Sequence, residues 1–324
     1  MIVVWIEELR PKKFNEIVGQ EHIVQRLKAF MDNPREMPHL LFAGPPGVGK
    51  TTSAHVLGHE LFGEEFFIDN FKEMNSSEER RLDDIRTKVK SYAKFRPAGD
   101  FPYRILVMDE ADALPNDSQS ALRRIMEKSS KSIRFIFIVN YANEIISPIL
   151  SRCAVLRFLP LNPEDIKKKI TEIAKDNDLN IPDDAIDGLV EISGGDMRKA
   201  INYMQSLSIL KREISFEDIY EIAGMANPVR IEKIIRNLIA KKNNYTIDTA
   251  YEEVRKLLYF DGFQGKDIIR QFNRAIQEAD YVSTKDKLSF NIQVGNAEFR
   301  LTQGSNELIQ LTSVLSTIYG FGNS

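Results

Sequence analysis

The residues best suited to chemistry lie in a glycine-rich stretch from Gly44 to Thr51 of this 324-residue chain. The stretch fits the pattern Gly-x-x-x-x-Gly-Lys-[Ser/Thr], with an apolar run that predicts a strand before it and a helical pattern after it. Such a turn points backbone N–H groups and the positive end of a helix dipole into one concavity, which suits phosphate. Lys50 can then reach the β- and γ-phosphates of a nucleotide, and the Thr51 hydroxyl can ligate Mg²⁺. The alternative is a glycine-rich turn that binds no ligand.

Two carboxylates end the most strand-like segment of the chain, residues 104–110. Asp109 is placed to hold Mg²⁺ through its water shell, and Glu110 to polarise an attacking water as a general base. Asn140 ends the next apolar strand, where its amide can bond the γ-phosphate or that water. Each of these residues by itself is also typical of an ordinary polar strand end. Their position downstream of a phosphate loop favours catalysis.

Two arginines beyond these strands are candidates for contact with phosphate. Arg152 follows a short predicted helix that Pro148 opens, and its guanidinium fork suits a phosphoryl group in transfer because it binds two oxygens at once. Arg198 lies in the first turn of a predicted helix, where the helix dipole disfavours a cation and so indicates a nearby anion. The alternative for each is an ordinary surface arginine.

A run of basic residues lies in the segment from Arg80 to Arg96, most of which is predicted to be an amphipathic helix ending near Lys94. Arg86 and Lys90 are one turn apart and share a face, which could follow a phosphate backbone without reading its sequence. A basic face that contacts only water is the alternative. Lys and Arg number 44 against 47 Asp and Glu, so a nucleic-acid partner would depend on a local surface of this kind.

The composition is typical of a folded protein of the cytoplasm. Apolar residues make up 43% of the 324 residues, which is enough for a substantial core and for two or three domains. The one cysteine, Cys153, excludes a disulfide within the chain and a zinc site built from cysteines. The first residues lack the basic region and the length of a secretion signal, and no apolar stretch approaches the length of a membrane span.

The order of the predicted elements indicates an α/β fold followed by helices. Strands alternate with helices up to residue 160, which predicts a parallel sheet with helices on both faces. The sequence therefore predicts an α/β domain over residues 1–160, a small helical domain over 161–226 and a further helical domain over 227–324. In detail, it predicts a mostly extended lead-in over residues 1–20 and a strand at 66–68. From residue 229 the pattern is helical to the end, with candidate helices over 229–240, 246–259, 266–279 and 307–318.

Taken together, these motifs resemble those of the small subunit of replication factor C, an AAA+ clamp-loader family, in its archaeal form. The resemblance runs nearly from end to end, and its most specific part is the triplet Ser151-Arg152-Cys153 with the boxes that follow it. The matching stretches are the N-terminal box at residues 5–11 and 17–20, Walker A at 44–52, Walker B at 109–112, sensor 1 at 140–141, the arginine-finger triplet at 151–153, sensor 2 at 194–198 and a C-terminal stretch at 299–304. The resemblance implies an AAA+ P-loop sheet, a helical lid and a helical collar for the three predicted domains.

The resemblance also implies where ATP and Mg²⁺ bind, in a cleft between subunits. Residues of the phosphate loop would hold the nucleotide: Gly44, Pro45, Pro46, Gly47, Val48, Gly49, Lys50, Thr51 and Thr52. Residues elsewhere would complete the site. Ile6, Arg10 and Val18 would contact the base and ribose, and Thr51 and Asp109 would bind the metal. Glu110 would activate the attacking water. Lys50 would act on the phosphates, and Asn140 and Arg198 would sense the γ-phosphate within the subunit. Arg152 would act in trans, on the ATP of the neighbouring subunit.

The partners that the resemblance implies are a replication factor C large subunit, other small subunits in a hetero-pentamer, a ring-shaped sliding clamp (PCNA) and primer-template DNA. The DNA would be contacted without regard to sequence by Arg80, Arg86, Lys88 and Lys90. The expected location is the cytoplasm of an archaeon, at the nucleoid. Two alternatives stay open, namely an ATP-binding subunit that is mainly structural and hydrolyses weakly, and another AAA+ remodeller or helicase. The first is motivated by Glu8-Leu9, where the family usually has Lys-Tyr.

Overall fold

The computed structural model describes residues 4–77, 82–210, 212–241 and 244–321, with all of their side chains except those of residues 82–86. The chain divides into two compact units. Within the described ranges, the first comprises residues 4–179 and 189–208, and the second comprises residues 180–188 and those from 209 onward. The predicted division at residues 160 and 226 stays a prediction.

A parallel sheet forms the centre of the first unit. Its strands in the described part of the chain are β1 (His39–Ala43), β2 (Phe71–Asn75), β3 (Arg104–Asp109), β4 (Ile133–Val139) and β5 (Cys153–Arg157), in the order β2-β3-β4-β1-β5. All neighbouring strands run parallel, and Leu40 of β1 lies opposite Ile136 of β4 and Ala154 of β5. Because the carboxyl ends of parallel strands meet at one edge, the residues that follow β1, β3 and β4 are brought together.

Helices surround this sheet. Those of the first unit are α1 (Trp5–Glu8), α2 (Glu21–Asp32), α3 (Lys50–Asn70), α4 (Leu82–Lys94), α5 (Asn116–Ser129), α6 (Ser147–Leu150), α7 (Pro163–Asp176), α8 (Asp183–Ser193), which begins in the second unit, and α9 (Met197–Ser208). Alternate strand residues point to opposite faces. Phe42 accordingly belongs to a buried cluster with Ile23 and Leu57, whereas its neighbour Leu41 belongs to another with Leu122 and Met126. Both faces are thus buried, which explains why the central strands are largely apolar.

The predicted strand at residues 66–68 is wrong, because these residues are helical and lie in α3 beyond a kink at Gly63. Phe67 stacks on His59, on the other side of that kink, with ring centroids 3.7 Å apart, and on Phe71 at 4.7 Å. The apolar run is therefore used for packing along a helix. The strand comes next, as β2, where buried Phe71 and Met74 flank two exposed residues, and this mixed pattern of an edge strand gives a weaker signal in the sequence.

The predicted extended lead-in is also wrong in part, because it contains the short helix α1 and a 3₁₀ turn at Phe14–Glu16. Helix α1 packs against α9, and the Trp5 N–H donates to Gln205 Oε1 at 3.1 Å. A helix of four residues has little stability of its own. Its formation depends on a contact across 200 residues of sequence, which local patterns do not reveal.

The second unit is helical. It contains α10 (Phe216–Ile222), α11 (Pro228–Ala240), α12 (Ile247–Tyr259), α13 (Gly265–Glu278), α14 (Thr284–Thr302) and α15 (Glu307–Tyr319), and the last five enclose one apolar core. Asn227 and Asn306 cap α11 and α15, since their side chains accept from the N–H groups of Val229 and Ile309. Within the described residues, no helix has the length and apolarity needed to cross a bilayer.

The candidate C-terminal helices match α11, α12, α13 and α15, but α14 is not among them. Its apolar residues lie on two sides of the helix. Phe290, Val294 and Leu301 are buried, whereas Ile292 and Phe299 are 70% and 66% exposed. Apolar residues on both sides blur the single stripe by which an amphipathic helix is identified.

Candidate active site

The phosphate loop connects β1 to the start of α3, and the first turn of that helix therefore faces the concavity of the loop. Gly47 has φ +69°, a left-handed conformation that favours glycine. Its carbonyl accepts from Met197 N–H at 3.1 Å, and a Cβ at this position would collide with the Asp196 carboxylate. The loop is thus held from one side by the beginning of α9.

Lys50 places its ammonium group inside this concavity. The Nζ atom donates to the carbonyl oxygens of Gly44 and Pro45, at 2.5 and 2.7 Å, and to Asn140 Oδ1 at 3.3 Å. Burial lowers the pKa of Lys50, and the carboxylates of Asp109 and Asp112 oppose that shift. Phosphate oxygens can replace the two carbonyl acceptors, so the geometry fits the predicted contact with a nucleotide.

Thr51 and Asp109 form a hydroxyl–carboxylate pair next to Lys50. Thr51 Oγ1 donates to Asp109 Oδ2 at 2.8 Å, and the Glu110 N–H donates to Asp109 Oδ1, also at 2.8 Å. Burial raises the pKa of Asp109, while these two hydrogen bonds act in the opposite direction. No group of three or more His, Cys, Asp or Glu residues that could hold a metal lies in the described ranges. One carboxylate and one hydroxyl fit Mg²⁺, which is usually held by one or two carboxylates together with water and substrate phosphates.

Glu110 and Asn140 complete the edge of the sheet. Glu110 has a left-handed backbone, with φ 53° and ψ 40°, which is unusual for a residue with a side chain and is frequent at functional sites. Asn140 follows β4, and its side chain meets Lys50. The predicted phosphate, metal and water residues therefore lie at one edge, as the parallel strand order requires.

The residues predicted to bind the base and ribose line the same cavity, which belongs wholly to the first unit. Ile6 and Arg10 reach it from the N-terminal segment, and Val18 from the loop before α2. Other lining residues were missed by sequence reasoning, although several are neighbours of the predicted ones: Leu9, Pro11, Glu16, Ile17, Leu161, Lys169, Met197 and Ile201. Lys169 of α7 and Ile201 of α9 had no local signal, because only the fold brings them to the loop.

Arg198 also lines this cavity, whereas Arg152 does not. Arg152 follows α6 and is 39% exposed, with Nη2 donating to Glu127 Oε1 at 2.8 Å and Nη1 to the Pro148 carbonyl at 2.7 Å. The structure therefore brings Arg198 to the phosphate loop of its own chain and leaves Arg152 at the surface. The predicted action of Arg152 on a neighbouring subunit stays a prediction.

The residues predicted to contact DNA are described only in part. Arg80 lies outside the described residues, and Arg86 lies in α4 but its side chain is outside the description. Lys88 and Lys90, on the same helix, are exposed. The DNA contact stays a prediction.

Three family models match consecutive parts of the chain. The "ATPase family associated with various cellular activities (AAA)" matches residues 40–161, the "RFC1-like, AAA+ ATPase lid domain" residues 163–221, and the "Replication factor C C-terminal domain" residues 227–317. Together they cover most of the chain in the order that the sequence motifs predict.

Curated relatives match over nearly the full length. The replication factor C small subunit of Methanosarcina barkeri is 44% identical over 322 residues, which cover 97% of this chain and 95% of the relative. That of Thermoplasma volcanium is 44% identical over 323 residues, covering 100% and 99%. Among solved structures, the Holliday junction branch migration motor RuvB of Thermotoga maritima superposes with a TM-score of 0.55 at 20% identity, covering 81% of this chain and 91% of RuvB. That likeness concerns the fold alone.

Proposed function

The chain belongs to the family of replication factor C small subunits and is an AAA+ ATPase, and on this premise we propose that it works in a clamp loader. In this role it binds and hydrolyses ATP while the assembly opens a ring-shaped sliding clamp and places it on primed DNA. The observation that carries the proposal is the meeting of Lys50, Thr51, Asp109 and Asn140 at one sheet edge.

The residues at this edge of the sheet have different roles in phosphoryl transfer. Lys50 binds the β- and γ-phosphates, and Thr51 and Asp109 hold Mg²⁺. When bound, Mg²⁺ neutralises charge on the phosphate oxygens. Glu110 takes a proton from the attacking water as the water oxygen bonds the γ-phosphorus. The bond to the β-phosphate oxygen then breaks, and ADP and phosphate are the products.

The remaining contacts are supplied by sensor residues and by a neighbouring subunit. Asn140 and Arg198 face the γ-phosphate within the chain, and both line the cavity with Lys50. Arg152, exposed and outside that cavity, binds the γ-phosphate on the neighbour through its guanidinium fork. ATP thus lies between subunits, and hydrolysis depends on assembly.

The proposed assembly is a hetero-pentamer with a large subunit and other small subunits, in the cytoplasm at the nucleoid. Its macromolecular substrates are the sliding clamp and primer-template DNA. The exposed Lys88 and Lys90 on α4, with Arg86 and Arg80, contact the DNA backbone. Such contacts fix position on the duplex without reading sequence.

The decisive experiment measures ATP hydrolysis by the full chain assembled with its large subunit, with and without primed DNA and sliding clamp. DNA and clamp together should stimulate hydrolysis, and Glu110→Gln in this subunit should slow both hydrolysis and clamp loading. Glu144→Gln, which changes an exposed acid on the loop after β4, is the matched control and should leave both rates unchanged.

Two outcomes would contradict the proposal. Clamp loading that is unimpaired by Glu110→Gln would assign this subunit a mainly structural role. Stimulation by branched DNA in the absence of a clamp would instead indicate a helicase.

A further inference from the structure

The backbone N–H of Asn140 has a hydrogen-bond acceptor that does not belong to the sheet. Strands β3 and β4 pair as far as Met108 and Phe137, and the chain of β3 then turns away. Asn140 lies beyond the end of that ladder, yet its N–H donates to Asp112 Oδ2 at 2.8 Å. A side-chain carboxylate therefore replaces the missing carbonyl acceptor.

The turn that carries Asp112 is well fixed. It is a 3₁₀ turn, Ala111–Ala113, in which the Ala113 N–H donates to the Glu110 carbonyl at 2.9 Å. Ala111, the first residue of this turn, is fully buried. The carboxylate of Asp112 is half-buried, and its position is set by the fold rather than by a flexible loop.

The neighbouring bonds connect this contact to the phosphate loop. The Val139 carbonyl, one peptide before, accepts from Gly44 N–H at 3.3 Å, and Asn140 Oδ1 accepts from Lys50 Nζ at 3.3 Å. The backbone of Asn140 is thus held by Asp112, while its side chain meets the loop. Loss of the Asp112 carboxylate would leave the Asn140 N–H without this acceptor.

We propose that Asp112 is a positioning residue that fixes the backbone of Asn140 so that its side-chain amide faces the γ-phosphate of bound ATP. This inference rests on the proposed function, in which Asn140 contacts that phosphate. A charge-assisted hydrogen bond from a backbone N–H to a carboxylate is stronger than a neutral one. Misplacement of a catalytic contact by about 1 Å can slow a reaction on the order of 100-fold.

The test compares Asp112→Ala, Asp112→Asn, Asn140→Ala and the Asp112→Ala/Asn140→Ala double variant in the assembled complex with large subunit, clamp and primed DNA. Asp112→Ala should lower kcat for ATP by about 10- to 100-fold, with KM and the ADP affinity of the full chain nearly unchanged. Asp112→Asn keeps an oxygen acceptor for the amide and should restore most of kcat. The double variant should be no slower than Asn140→Ala alone, because residues that act through one contact are not additive.

Other outcomes would overturn the proposal. Additive losses in the double variant would mean that Asp112 acts independently of Asn140. A loss in Asp112→Asn equal to that in Asp112→Ala would assign the effect to the charge of Asp112 on Lys50. Asp117→Ala removes an exposed carboxylate from the helix that follows and is the matched control, which should hydrolyse ATP at the wild-type rate.

A second readout does not depend on catalysis. Hydrogen exchange of the Asn140 amide in the full chain should be faster in Asp112→Ala than in the wild type or Asp117→Ala, because its acceptor is lost. Unchanged exchange would refute the contact itself. If the wild-type assembly hydrolyses no ATP while this exchange responds as expected, the proposed function fails and the positioning contact stands.

Discussion

Substitution of Gly47 by alanine tests how closely the phosphate loop packs against the start of α9. An ideal Cβ on Gly47 would lie 1.6 Å from Asp196 Oδ1 and 2.0 Å from Asp196 Cγ, so the carboxyl group would have to rotate away. That rotation removes the hydrogen bond, 3.0 Å long, by which Asp196 accepts from the Lys199 N–H and caps α9. Loss of such a cap costs about 1 kcal/mol of stability. The left-handed φ of +69° adds roughly 1–2 kcal/mol for alanine.

The expected loss in free energy of unfolding is therefore about 2–3 kcal/mol, less roughly 0.4–1 kcal/mol because alanine restricts the unfolded chain. Gly194 provides the control. It has φ +60° in the same unit, but a Cβ there would meet nothing within 4 Å. Gly194→Ala should show the backbone effect alone, so the two variants should differ by the cap, about 1 kcal/mol.

Urea unfolding of the full chain, followed by fluorescence of its one tryptophan, Trp5, reports on the unit that contains both glycines. In an Asp196→Ala background, the side-chain cap of α9 is already absent, and no carboxylate occupies the space that a Cβ on Gly47 would need. There Gly47→Ala should destabilise no more than Gly194→Ala does. Equal losses for the two glycine variants in the wild-type background, or a difference that persists with Asp196→Ala, would refute the proposed packing.

Three further predictions concern catalysis, pH and DNA. Arg152→Ala should leave ATP binding nearly intact but lower hydrolysis by the assembly on the order of 10³-fold, and Arg152→Lys should rescue little because it lacks the fork; an unchanged rate would exclude action in trans. Burial raises the pKa of Asp109 above its unfolded value, so its ionised form destabilises the fold at neutral pH. Asp109→Asn should therefore increase the free energy of unfolding at neutral pH, and the Thr51 hydroxyl can accept a hydrogen bond from the new amide. This gain in stability should vanish as the pH falls through the pKa of Asp109 in the folded protein. A gain that is constant with pH would contradict the prediction. Arg86→Ala with Lys90→Ala should weaken DNA binding uniformly across sequences and flatten its salt dependence. Titration of the assembly with DNA at several salt concentrations measures both effects. An unchanged salt dependence would mean that this basic helix face contacts only water.

Local spacing explains which parts of the fold could be predicted. The phosphate loop is a contiguous motif, and β3 and β4 are buried on both faces, so each contains an unbroken apolar run of four or five residues, 105–108 and 135–139. By contrast, α1 depends on its contact with α9, and residues 66–68 are an apolar run that serves a helix equally well. Tertiary contacts determine both of these elements, and local sequence patterns do not reveal such contacts.

The same distinction applies to the site. Lys50, Thr51, Asp109 and Asn140 were predicted because each follows a recognisable element, and the structure brings them together. Asp112 and Asp196 were not assigned a role. The contact of Asp112 arises from the pairing of β3 with β4, and that of Asp196 from the approach of α9 to the loop. Supporting contacts of this kind depend on the order of strands and helices in space.

If Arg152 acts in trans as proposed, its surface position links hydrolysis to assembly without hindering it. For its guanidinium to bind a phosphate on a neighbouring subunit, Nη2 must release Glu127. Both side chains are about two-fifths exposed, at 39% and 43%, and exposed ion pairs of this kind contribute only about 0.2–1 kcal/mol. An arginine finger stabilises the transition state by a factor on the order of 10³ to 10⁵, or roughly 4–7 kcal/mol. In the proposed assembly, the contact with the neighbour's phosphate would therefore outweigh the ion pair with Glu127, and that pair would not prevent Arg152 from reaching the phosphate.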